Sequence, residues 1–219
     1  MTWLPSHTDA LVAALARAYP ARVVVPLDVS HDIATGLYRL LVGALPPTWR
    51  AVASPVLDGL DGLAARVSVT VPTPDVPVVV LSHAAVADAT TRACTTLHEW
   101  CHVRQIAHVG RWQTGVDYLG SGELRAQREA DATAAALWLR YVIDGTLLET
   151  APALSDLYHL DAGDSHLVAD ILAAHLATIR AGCVPPIDVC LVAARWLLAS
   201  PTVPADVRAR VPHTLPEST

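Results

Sequence analysis

A chain of 219 residues, 53% hydrophobic and 16% charged, has the material for one core of ordinary size. Its mean hydropathy of +0.38 and formal charge of −6 exclude wholesale disorder, which needs low hydrophobicity and high net charge. A pI near 5.9 leaves no excess positive charge for phosphates to attract, so no nucleic-acid partner is expected. All 15 basic residues are Arg, and Lys, Asn and Phe are missing, so the core must be built from Leu, Val, Ala and six Trp. That set favours helices.

Met1 to Pro20 lacks a basic segment followed by a continuous apolar stretch; it reads as an amphipathic helix opened by Ser6 or Thr8, not as a secretory signal. A β-branched run from Arg22 to Leu27 suits a short buried strand, and Ser30 to Leu45 fits a helix capped by Ser30 and stopped by Pro46 and Pro47. Two apolar runs, Ala64 to Val71 and Val76 to Leu81, flank Pro72, Pro74 and Pro77 and read as strands of a small sheet. Ala84 to Val109 contains neither Pro nor Gly and is followed by Gly110, the pattern of a long helix with its C-terminal stop. Gly115 to Gly122 reads as a loop, and Glu123 to Asp144 as a second long helix stopped by Gly145. Two more helices follow, near His166 to Arg180 and Ile187 to Leu198, and the Pro-containing tail from Pro201 to Thr219 is expected to fray.

No repeat or linker divides the chain. The expectation is a single domain over residues 1–219: an N-terminal helix and small sheet (1–83), two long helices (84–145), a helical C-terminal subdomain (146–200) and a tail (201–219). The most apolar stretch, Ala134 to Leu148, contains Arg140 and Asp144, so no membrane span is expected, and with no signal the expected location is cytoplasmic. Cys94, Cys101, Cys183 and Cys190 form no CxxC pair and read as buried thiols. The seven-residue spacing within each pair is too long for a disulfide inside one helix; a bridge between two packed helices remains the alternative.

The first long helix contains His98-Glu99-Trp100-Cys101-His102, an HExxH sequence. Two His four residues apart lie about 40° apart around a helix and one turn along it, so both imidazoles can reach one ion, and two nitrogen ligands suit Zn2+. Glu99 falls beside them, turned away from ligation but near enough to take a proton from a metal-activated water. With ten His in the chain, the motif arises by chance in about one such sequence in a hundred, so its placement in mid-helix after two strands matters.

A catalytic zinc needs a third protein ligand. Glu149 and Glu217 sit near helix or chain ends, which leaves Glu123, Glu129 and His108. His108 follows His98 at the HExxHxxGxxH spacing, but Gln105 stands where that pattern turns on Gly, and Met1 is the only methionine, so no Met-turn can follow. On a continuing helix His108 points about 240° away from His102 and reads as a solvated helix end. Glu123 shares a helical stripe with Gln127, Ala130, Ala134, Leu137 and Tyr141 that should face the core, while Glu129 lies at its edge. Glu123 also follows Ser121-Gly122, where an acidic residue in the first turn suits the helix dipole without any metal.

The stretch Arg128-Glu129-Ala130-Asp131-Ala132-Thr133, followed by Ala135, Ala136 and Leu139, resembles the second zinc helix of gluzincin-type bacterial metallopeptidases. Gln127-Arg128-Glu129 is similar to that helix in membrane-bound members. The gap of 26 residues between His102 and Glu129 is closer to the small soluble members that cleave repressors in phage immunity and stress responses. The likeness covers about residues 76 to 140, a third of the chain. It implies Glu129 as third ligand, Zn2+ as cofactor, and an α+β, mostly helical, zincin-like fold with a small sheet packed on the HExxH helix and a helical C-terminal half. It also implies a zinc metallopeptidase with a specific peptide or protein substrate; the alternative is a catalytically inactive zincin-like scaffold that binds a protein partner. Thr133 departs from the family, which places Asp or Asn there to orient a ligand His, and Asp131 is the other residue expected to take that role. His159, His166, His175, Tyr118 and Tyr141 are further polar groups able to stabilise an oxyanion. Arg104, Arg111, Arg125 and Arg128 are near enough in sequence to steer an acidic peptide.

Overall fold

The computed structural model describes residues 2–24, 68–72, 75–82, 84–147, 160–213 and 215. In chain order the elements are α1 (Pro5–Ala18), β1 (Arg22–Val24), β2 (Val69–Val71), β3 (Val78–Val80), α2 (Ala89–Val109), α3 (Arg111–Gly120), α4 (Gly122–Asp144), α5 (Ala162–Arg180), α6 (Asp188–Ala199) and α7 (Ala205–Arg208). The described residues are mostly helical, with one small mixed sheet. The helix expected over Ser30 to Leu45, and the outer parts of the strands expected over Arg22 to Leu27 and Ala64 to Val71, lie outside the described residues.

The sheet takes the order β1-β3-β2. β3 is parallel to β1, with Val79 opposite Val23, and antiparallel to β2, with Val79 opposite Thr70. Valine suits this pleated surface because its branched side chain packs well against neighbours on the pleat. Val79 and Leu81 are fully buried in the same core cluster as Leu97 and Trp100 of α2, so the sheet lies against α2.

α2 starts later than the absence of helix breakers suggests. Asp88 accepts a 2.8 Å hydrogen bond from the Thr91 N–H and caps the first turn, and residues 84–86 form a turn before it. Gly110, at φ +91°, ends the helix and leads straight into α3. The indole N–H of Trp100 donates to the Tyr19 carbonyl at 3.1 Å, tying α2 to the end of α1. α1 begins at Pro5, where the missing N–H costs nothing, and not at Ser6 or Thr8. Thr8 is buried instead, its hydroxyl donating to Ala89 O at 3.0 Å.

α4 is buried on two sides, which a single-stripe reading of its wheel does not anticipate. Ala126, Ala130 and Ala134 meet Val168 and Leu172 of α5, while Ala132, Ala135, Trp138, Leu139 and Val142 enter the main core. Short alanines leave room for helices on both sides. The tail does not fray where it is described. Val203, Val207 and Val211 are buried, and Arg210 donates through Nη1 to Val142 O at 2.9 Å and Ile143 O at 2.8 Å, satisfying carbonyls that the end of α4 leaves open. All four cysteines are free: Cys94, Cys101 and Cys190 are buried as expected, and Cys183 is exposed. No helix among the described residues is long and apolar enough to cross a membrane.

Candidate metal centre

His98 and His102 lie on consecutive turns of α2 and face α4, where Glu129 is 1% exposed. The imidazole Nε2 atoms are 3.3 Å apart. Glu129 Oε2 lies 3.5 Å from His98 Nε2, and Oε1 lies 3.5 Å from His102 Nε2. Ligands about 2.0 to 2.1 Å from one ion at near-tetrahedral angles stand about 3.3 Å apart, so the Nε2–Nε2 separation matches one edge of such a polyhedron, and each carboxylate oxygen stands at nearly that distance from one imidazole. Glu129 Oε2 is buried and has no hydrogen-bond partner, an omission that costs free energy unless a cation completes the site. Among the described residues, His98, His102 and Glu129 form a group able to hold a metal ion.

Burial opposes the charged forms of both His102 and Glu129, and their mutual attraction outweighs it. His102 is pushed up to about 9, despite burial, by the Glu129 carboxylate, with smaller contributions from Glu99 and Gln105. Glu129 is held well below the usual carboxylate range by the two imidazoles, again against its burial. The site thus favours positive charge facing a buried carboxylate.

Glu99 is 3% exposed and lies outside the ligand triangle, yet close enough for its charge to act on His102. The hydroxyl of Thr70, on β2, is 2.7 Å from Glu99 Oε2 and 3.0 Å from the Glu99 carbonyl. The sheet therefore fixes the rotamer of Glu99 and engages one of its two carboxylate oxygens.

His102 is oriented from its own helix. Its Nδ1 lies 3.0 Å from Gln105 Oε1, an arrangement in which Nδ1 carries the proton and Nε2 is free to ligate. Gln105 Nε2 in turn reaches Arg128 O on α4 at 3.5 Å. Thr133 is buried in α4 and makes no side-chain hydrogen bond among the described residues. Asp131 is not the orienting residue either: its Oδ1 faces away and pairs with His175 Nε2 at 2.9 Å.

The other expected residues separate cleanly. Glu123 is exposed and meets Gln127 at 3.3 Å, so it does not join the site. His108 is exposed at the end of α2, as its helical angle indicates, and His166 is exposed on α5. Tyr141 packs at the edge of the main core, and His159 lies outside the described residues. Three of the four arginines are engaged within the protein. Arg104 pairs with Asp188 at 2.6 Å, Arg128 with Asp117 at 2.7 Å, and Arg125 donates to Tyr118 O at 2.8 Å.

Tyr118 belongs to the site: its hydroxyl donates to Glu129 Oε1 at 2.7 Å. The segment expected to be a loop there is helix α3, because Arg128 reaches back to the Thr114 carbonyl at 3.0 Å and to the Asp117 carboxylate, and Ser121 caps the next helix only after it. Sequence reading missed Thr70 and the role of Gln105. Gln105 had a local signal in its position three residues after His102, on the same helical face. Thr70 had none, since it meets Glu99 across 29 residues of chain.

Comparison of the chain with protein-family models, with curated proteins and with solved structures gives no match, so the geometry carries the functional reading by itself.

Proposed function

We propose that this chain is a zinc metallopeptidase of zincin-like architecture that hydrolyses peptide bonds in a specific protein or peptide. The observation that carries the reading is the triangle of His98 Nε2, His102 Nε2 and the orphaned Glu129 Oε2, with a buried carboxylate, Glu99, standing beside it without joining it. Two neutral nitrogens and one carboxylate on a closed set of helices suit Zn2+ better than the harder, oxygen-seeking divalent ions. When bound, zinc supplies an acidified water and a Lewis acid for the scissile carbonyl.

The chain's own residues divide the remaining work. Glu99 receives the proton of the attacking water and returns it to the nitrogen of the leaving amine, acting through Oε1 because Oε2 faces Thr70. Thr70 keeps Glu99 from swinging toward the metal, and Gln105 keeps His102 in the tautomer that ligates.

The test compares metal-loaded wild type with Glu99→Gln on a mixed-sequence peptide library read by mass spectrometry. Cleavage by the wild type, lost by at least about a hundredfold in Glu99→Gln while one zinc per chain is retained, supports the reading. Zinc retained by both with no cleavage by either favours the second reading, a scaffold that binds a protein partner. Thr133 motivates that reading, because no acidic side chain raises the basicity of either imidazole from its position.

A further inference from the structure

The carboxylate of Glu129 straddles the two imidazoles. Each of its oxygens stands 3.5 Å from one Nε2, so the triangle by itself does not decide whether one oxygen or both reach an ion. Tyr118 breaks that symmetry. Its hydroxyl donates to Oε1 at 2.7 Å, while Oε2, also buried in the site, has no hydrogen-bond partner and stands 3.5 Å from His98 Nε2. A phenol hydrogen bond draws electron density on Oε1 toward the proton and occupies one of its lone-pair directions, leaving Oε2 as the better donor.

We infer that Tyr118 is a positioning residue that makes Glu129 a one-oxygen ligand and so keeps a coordination position open for substrate or water. The inference rests on the reading of His98, His102 and Glu129 as the metal ligands. The placement of Tyr118 is built and not incidental. Arg125 donates to the Tyr118 carbonyl at 2.8 Å and its guanidinium carbon lies 6.0 Å from the centre of the Tyr118 ring. Arg128, the residue before Glu129, holds the same helix through the Thr114 carbonyl and the Asp117 carboxylate, at 3.0 and 2.7 Å. α4 thus presents the ligand and grips the helix that trims it.

The alternative role for Tyr118 is packing alone, and the two roles separate in the coordination number. Cobalt(II) serves as the probe, loaded into metal-free wild type and Tyr118→Phe. Its visible absorption is intense when it is four-coordinate and weakens as the coordination number rises. The wild type is expected to give the intense four-coordinate bands of two imidazoles, one carboxylate oxygen and one exchangeable position. Tyr118→Phe is expected to give weaker bands, as Oε1 joins the ion, and a cobalt affinity lowered about 10- to 100-fold, measured by chelator competition.

Unchanged bands in Tyr118→Phe overturn the inference, even if affinity or thermal stability falls, because packing alone accounts for those. Weak bands in the wild type overturn it without any variant, and so cover the case in which Tyr118→Phe does not fold. A wild type that takes up no cobalt and no zinc overturns the metal reading itself, a different failure from intense bands that Tyr118→Phe leaves unchanged.

Discussion

Replacing Glu129 with Gln keeps the shape of the side chain and removes its charge, and the structure sets the scale of the result. A carboxylate charge and a unit positive charge about 3.5 Å apart, the scale of the Glu129-to-imidazole separations, in a site where the carboxylate is 1% exposed, attract by about 5 kcal/mol at an effective dielectric constant near 20. At 1.36 kcal/mol per decade this is about three to four decades of affinity for a cation held there. Wild-type protein with free zinc at about a thousand times Kd gains about 4 kcal/mol of stability by mass action. For a chain of this size that raises the melting temperature by roughly 8 to 16 °C over the chelator-treated protein. Glu129→Gln cancels the thousandfold excess, so its melting curves with zinc and with chelator should coincide to within about 2 °C. The assay is differential scanning fluorimetry of wild type, Glu129→Gln and, as control, Glu123→Gln, whose exposed carboxylate should leave the zinc response intact. A full zinc-dependent shift in Glu129→Gln would refute the assignment of the third ligand.

Two further outcomes test parts of the fold away from the metal. Burial pushes the Cys94 thiol up to about 12 and raises Cys101 and Cys190 well above the ordinary thiol range, so at pH 8 only about one Cys94 in ten thousand is a thiolate. Iodoacetamide at that pH should label Cys183 alone in the native protein and all four cysteines in denaturant, counted by intact mass; rapid native labelling of a second thiol contradicts the packing. Gly115 lies inside α3 with nothing within 4 Å of where a Cβ would stand and no positive φ. Gly115→Ala should therefore stabilise by about 0.5 to 1 kcal/mol, seen as a melting temperature raised by roughly 1 to 4 °C, and a lowered value would mean that the segment is not helical.

The two long helices and the His98-Glu99-His102 part of the candidate site were legible because their signals are local, whereas Glu129 entered through the resemblance of its helix. His98, Glu99 and His102 are fixed relative to one another by helical geometry alone, and Gly110 and Gly145 mark the helix ends. Glu129 read as lying at the edge of an apolar stripe, which does not convey its near-complete burial. That reading assumes one buried face, whereas the alanines of α4 admit neighbours on two. Glycines at 115, 120 and 122 suggested a loop where α3 forms, since the propensity of a ten-residue segment is weak against the tertiary hydrogen bonds of Arg125 and Arg128. Asp131 attracted attention by its spacing from Glu129, but two residues along a helix is a rotation of about 200°, which aims it at His175 on the far side.

The hydrogen bonds from Arg210 to the end of α4 bear on when the site matures. Arg210 follows Val142 by 68 residues, so at a synthesis rate of about 5 to 20 residues per second it emerges roughly 3 to 14 seconds after the carbonyl it holds. His98, His102 and Glu129 have all left the ribosome by then, with one end of α4, the helix that carries Glu129, still unclamped. In the proposed reading, metal capture by the nascent chain and metal retention by the finished protein would thus be separate events, the second reinforced by an arginine that takes no part in the first.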